Sequence, residues 1–146
     1  MTEDELWVRL NEALHPFAGY PQALAKLSAD YSAGYALAFA YNYVDADICN
    51  GGVSGLNRGT TWHLVPTAVD AARIAGYFEI ERLLKEIVLY YHERGRSRMK
   101  KLITDDYFAG IDRPLDKSLS EIEDEWYALA DRYEVIPALL GRLDLW

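Results

Sequence analysis

The sequence has a single cysteine, Cys49, in 146 residues, so no disulfide can form within the chain. A lone thiol fits a reducing compartment. There are three histidines, His15, His63 and His92, and no two have the four-residue spacing that sets a pair of metal ligands on one helix face. No hydrophobic run approaches the roughly 18 residues of a membrane span; residues 35–41 form the longest, at seven. The first five residues include Glu3, Asp4 and Glu5, where a secretory signal would be basic and then apolar. Gly-x-Ser-x-Gly is absent, and the glycine-rich stretch 52–59 lacks the Lys-Ser/Thr ending of a phosphate loop. Cations are scarce: 15 Lys and Arg face 23 Asp and Glu, for a net charge of -8. An acidic surface repels a phosphate backbone, which excludes unaided nucleic-acid binding. These absences, with a hydrophobic fraction of 51%, describe a cytoplasmic protein folded as one domain over residues 1–146.

The charge is unevenly placed. Residues 1–50, 51–100 and 101–146 carry net charges of -5, +3 and -6. Half of the middle bases are Arg94, Arg96, Arg98 and Lys100, and Lys101 extends this run, which is suited to the end of a helix, where the macrodipole favours cations. It also suits pairing with acids at 121–125, within one molecule or across a dimer.

Apolar spacing is helical almost throughout and no alternating strand pattern occurs, which predicts an all-α bundle of six or seven helices. Thr2 and Glu5 form a capping box ahead of Leu6, Leu10, Ala13 and Leu14, with Pro16 as the stop. Pro21 opens a short second helix. The next helix is apolar on two sides, through Tyr35 and Ala38 and through Leu37, Tyr41, Val44 and Ile48, as a central buried helix is. Asn50, Gly51 and Gly52 end it, and a loop is expected to Thr61. A helix from Pro66 to a Gly76 cap follows, then a stripe from Ile80 to Tyr91, with Met99, Leu102 and Ile103 as a short continuation. Leu119, Ile122, Trp126, Leu129, Tyr133, Ile136 and Leu140 step by three and four behind a second capping box, Ser118 and Glu121. Pro137 should kink or restart this last element.

Few residues suggest chemistry. Asp45, Asp47 and His63 can be drawn as a metal or acid–base cluster across the glycine loop, yet residues two apart on a helix face different ways. Cys49 with His63 can be drawn as a nucleophile pair, although a free cysteine ending an apolar helix is commonly a small packing residue. The expectation is a non-enzymatic protein with no metal and no cofactor. A metal-dependent enzyme using Asp45, Asp47 and His63 is the alternative.

Residues 45–57, with Asp47, Asn50, Gly51, Gly52 and Val53, resemble the signature of the bacterial DNA-mimic protein family, small acidic helical proteins. Residues 68–76 resemble the family's next helix, and 119–140, with Asp131 and Tyr133, its C-terminal helix. Ser54, Gly55 and Leu56 stand where that family usually has paired phenylalanines. The resemblance implies a helical fold and a dimer that occupies the basic DNA-binding surface of a transcription factor. Asn50, Gly51 and Gly52 are also what a tight turn requires, with Asn50 tying backbone groups together.

Mimicry requires carboxylates at phosphate-like spacing. Glu121, Asp124, Asp131 and Glu134 lie off the apolar stripe of the last element, flanked by Glu123 and Glu125. Helix neighbours three or four apart are about 5–6 Å from each other, comparable to successive phosphates on one strand. Glu121, Asp124, Glu125, Asp131 and Glu134 are therefore the candidate binding surface. The expected partner is a basic DNA-binding protein or, as an immunity-type alternative, a basic toxin. The same residues serve equally as a solvated face.

Overall fold

A computed structural model describes residues 1–15, 19–96 and 104–146. Among them are eight α-helices, four short 3-10 helices and no strand. The α-helices are α1 (Glu3–Ala13), α2 (Tyr20–Asp30), α3 (Ala33–Gly51), α4 (Val53–Arg58), α5 (Val65–Ala75), α6 (Phe78–Glu93), α7 (Leu119–Ala128) and α8 (Val135–Leu140). The all-α expectation holds. The additional helices come from the stretch after Gly51, expected as a loop but folded into α4 and a 3-10 turn, Thr61–Leu64. Val53, Leu56, Thr61 and Leu64 are all buried there, so tertiary packing outweighs the helix-breaking tendency of the glycines.

The centre is α3, in which every residue from 34 to 41 is buried, along with Val44 and Ile48. It packs most extensively on α5 and also touches α1, α2, α4 and α8, while α6 bridges α5 and α7. Close approach at the start of α3 depends on Gly34: a Cβ there would lie 2.7 Å from the Trp146 ring. That indole donates through Nε1 to the Leu139 carbonyl (2.9 Å) and meets Tyr35 edge-on. No helix among the described residues is long and apolar enough to cross a membrane.

Local signals account for most boundaries. Thr2 Oγ1 accepts from the Glu5 amide and Glu5 Oε2 accepts from the Thr2 amide, completing the first capping box. Ser118 Oγ accepts from the Glu121 amide (3.2 Å), the same contact at the start of α7. Pro21 and Pro66 lie at helix starts and Gly76 caps α5, as expected. The short helix expected at Met99, Leu102 and Ile103, and Arg98, Lys100 and Lys101 of the basic run, fall outside the described residues.

The last element departs from its expected register. Its break comes at Leu129, where α7 gives way to a 3-10 turn, Ala130–Tyr133. Pro137 is the third residue of α8, where its missing N–H has no intrahelical partner to lose. A 3-10 turn has about 3.0 residues per turn instead of 3.6, and the inward face shifts accordingly. Ile122, Trp126 and Ile136 are buried, but Arg132 takes an inward position and Tyr133 is 65% exposed.

Candidate functional site

The turn that ends α3 is built around Gly52, which caps α3 and opens α4. Its backbone, at φ 72° and ψ 176°, occupies a region essentially restricted to glycine. The Gly52 amide closes α3 on the Ile48 carbonyl (2.9 Å). The Val53 amide, a free donor at the start of α4, donates to Glu123 Oε1 of α7 (2.7 Å). A Cβ on Gly52 would collide with that same carboxylate. Asn50 is exposed and its side chain forms no hydrogen bond among the described residues. The expectation that Asn50 ties the turn is therefore corrected: Glu123, seventy residues away in sequence, does so. A Cβ on Gly51 would meet nothing within 4 Å, and Asp47 lies half-buried on α3, near Tyr20.

About two turns back on α3, Asp45 anchors a polar network that joins α3 to α7 and the following 3-10 turn. Its Oδ1 accepts from Trp126 Nε1 (2.9 Å) and Arg132 Nη1 (3.3 Å). Trp126 is fully buried and the Arg132 side chain is only 9% exposed, so these partners have little access to water. Burial pulls the Arg132 guanidinium down, but Asp45, Cys49 and Tyr133 outweigh it and hold the group above its ordinary value. Arg132 Nη2 donates to Tyr133 Oη (2.6 Å), and the Arg132 carbonyl accepts from Tyr41 Oη (2.7 Å). Burial pushes the Tyr41 phenol far up, so it remains a neutral donor.

Cys49 sits at the rim of this network. The residue is exposed, while Sγ faces inward, 3.7 Å from Asp45 Oδ1 and 3.4 Å from Arg132 Nη1. Burial of the thiol and then the Asp45 charge push it above its usual range, with Arg132 opposing. Only the thiolate is nucleophilic, so this thiol should alkylate slowly at neutral pH and faster as pH rises. Asp45→Asn removes the opposing charge and leaves Arg132 beside the sulfur. We expect a several-fold rise in the iodoacetamide rate constant, measured at neutral pH on folded protein; an unchanged or lower rate would show that Asp45 does not control the thiol.

The carboxylates of the last region divide into two sets. Glu123 caps α4, and Glu125 pairs with Lys117 Nζ (2.9 Å), which also binds the buried Glu86 (2.8 Å). Arg82 reaches Glu86 from the other side (2.9 Å), and these charges border a cavity of about 290 Å³ beside residues 110–117. Burial pulls the Lys117 ammonium down, but Glu86 and Glu125 more than compensate and raise it. By contrast, Glu121, Asp124, Asp131 and Glu134 are all exposed and have no ion pair or side-chain hydrogen bond among the described residues. Glu121 and Asp124 lie on α7, Asp131 on the 3-10 turn, and Glu134 at the start of α8. The four thus follow a bent segment and not one helix face.

The enzyme-like residues are placed differently. Asp45 is committed to Trp126 and Arg132, while the His63 ring stacks on Trp62 with centroids 3.7 Å apart. Among the described residues, no three His, Cys, Asp or Glu side chains gather closely enough to hold a metal ion.

The sequence alone did not single out Glu123 as the partner of the turn, nor Trp126 and Arg132 as the partners of Asp45. A usable signal existed for Arg132: a cation flanked by Asp131 and Tyr133 inside a run that otherwise repeats apolar residues.

A family model described as DMP19-like protein matches residues 10–144, which includes the turn, the Asp45–Arg132 network and all four free carboxylates. The chain belongs to the DMP19-like protein family. The expected likeness to the DNA-mimic proteins is thereby borne out. Comparison with curated proteins and with solved structures gives no match. In this DMP19-like protein the match leaves out only residues 1–9, which hold the first capping box and the first two turns of α1, and the last two residues.

Proposed function

We propose that this DMP19-like protein is a non-enzymatic acidic module that acts as a DNA mimic, occupying the basic surface of a DNA-binding protein. The observation that carries this reading is the set of uncompensated carboxylates, Glu121, Asp124, Asp131 and Glu134, on a segment whose other acids are committed to internal contacts. Free surface charge costs little in water and attracts a basic groove over long range, which speeds encounter and rejects acidic partners. Residues 1–146 form the unit of this activity, and a homodimer would double the acidic face.

The test is a capture experiment with the immobilised chain and a host extract, at about 50 and 200 mM salt, with duplex DNA as competitor. A mimic should retain a DNA-binding protein at low salt and release it both to salt and to DNA. The variant E121Q/D124N/D131N/E134Q should retain about tenfold less, the scale expected when four exposed charge pairs are lost together. Full retention by this variant, or a partner that DNA fails to displace, would overturn the proposal.

A further inference from the structure

Two tyrosines beside the free carboxylates are held in an unusual way. Tyr127 is 45% exposed and Tyr133 is 65% exposed. Surface tyrosines usually keep the hydroxyl in water and turn the ring inward. Here the hydroxyls are tied back and the rings are left outside. Tyr127 Oη donates to the Ile48 carbonyl (2.8 Å), and Tyr133 Oη accepts from Arg132 Nη2 (2.6 Å).

Both rings neighbour the same side chain. The Arg132 guanidinium carbon lies 4.2 Å from the Tyr133 ring centroid and 6.0 Å from that of Tyr127. Arg132 in turn is held by Asp45, which also offsets its charge. The platform therefore has two immobilised rings and no excess positive charge. Asp124, one helical turn before Tyr127, and Asp131 and Glu134, which flank Tyr133 in sequence, are uncompensated carboxylates on the same segment.

We propose that the Tyr127–Tyr133 platform reads arginine on the basic partner. This rests on the acidic-module reading above and adds a specificity that carboxylates alone do not provide. A guanidinium is planar and weakly hydrated, so it stacks on an exposed ring while its edge donates to a neighbouring carboxylate; an ammonium is compact and strongly hydrated and gains less. Because the rings are already fixed, little side-chain freedom is lost on binding. Charge complementarity selects a cationic occupant, and the rings select arginine over lysine.

The probe is a pair of fluorescein-labelled peptides of equal charge, nona-arginine and nona-lysine, titrated with the intact chain and followed by anisotropy. Wild type should bind nona-arginine about five- to twentyfold more tightly than nona-lysine, the range expected for one exposed cation–π contact per ring. Y127L/Y133L should weaken nona-arginine to near the nona-lysine value and leave nona-lysine unchanged. Carboxylate neutralisation should weaken both peptides. Equal affinities in wild type, or an arginine preference that survives in Y127L/Y133L, would overturn the arginine reading while leaving the acidic module intact. Failure of both peptides to bind would overturn the two readings together. If the peptides are not distinguished and Y127L/Y133L instead shifts the chain from dimer to monomer in sedimentation, the platform is a self-association surface and the proposal fails. The wild-type comparison decides the matter even if the double variant does not fold.

Discussion

Gly52→Ala should lower stability by roughly 2–4 kcal/mol, a large change for a chain of this size. Two separate effects contribute. The φ 72°, ψ 176° backbone of Gly52 costs a residue with a Cβ about 1–3 kcal/mol. The new methyl also displaces the Glu123 carboxylate from the Val53 amide, removing a helix cap that contributes about 0.5–2 kcal/mol. Urea unfolding followed by circular dichroism measures the total. Glu123→Ala separates the two parts, because it loses the cap and keeps the glycine. If both effects operate, G52A/E123A will be less destabilised than the two single variants added together, by about 1 kcal/mol, since the cap can be lost only once. A G52A variant within about 0.5 kcal/mol of wild type would mean that the turn relaxes freely and that the motif has no structural role.

This result bears on why the family motif was legible and its partner was not. Glycine at 51 and 52 announces a turn through its backbone freedom, a property read from one residue at a time. The contact that makes Gly52 necessary comes from Glu123, which as a sequence feature is one more acid in an acidic run. The helical spacing of α1, α3, α5 and α6 was equally legible, because each buries a stripe that repeats at the helix period. The same argument misplaced Tyr133, since the 3-10 turn that ends on it resets the phase and turns Arg132 inward. Local pattern therefore identified the helices, but not which charged side chains would be buried between them. Of the acids nominated from sequence, the structure separates Glu125, paired with Lys117, from the four that remain free.

Asp45→Ala should be the most damaging single change in the network, at about 3–5 kcal/mol. It leaves the Arg132 guanidinium without its counter-charge and the Trp126 indole N–H without its acceptor, both largely buried. Breaking a buried pair costs more than never having had it, because the remaining charge keeps its desolvation penalty. Arg132→Met should cost less, about 2–3 kcal/mol, because Asp45 is 20% exposed and still accepts from Trp126. The Tyr41 hydroxyl is unaffected in that variant, since it donates to the Arg132 backbone carbonyl. The double variant D45A/R132M removes both charges and should recover about 2 kcal/mol relative to additivity, the remaining loss coming from the orphaned indole together with the lost packing and hydrogen bonds of both side chains. Thermal unfolding at neutral pH supplies the cycle, at about 2–4 °C per kcal/mol for a chain of this length. Strict additivity would show that Asp45 and Arg132 are not coupled. The measured coupling also bears on the surface above, because Arg132 holds the Tyr133 hydroxyl and lies against both exposed rings. A folded R132M variant should therefore retain the carboxylate-driven affinity for nona-lysine while losing part of its preference for nona-arginine.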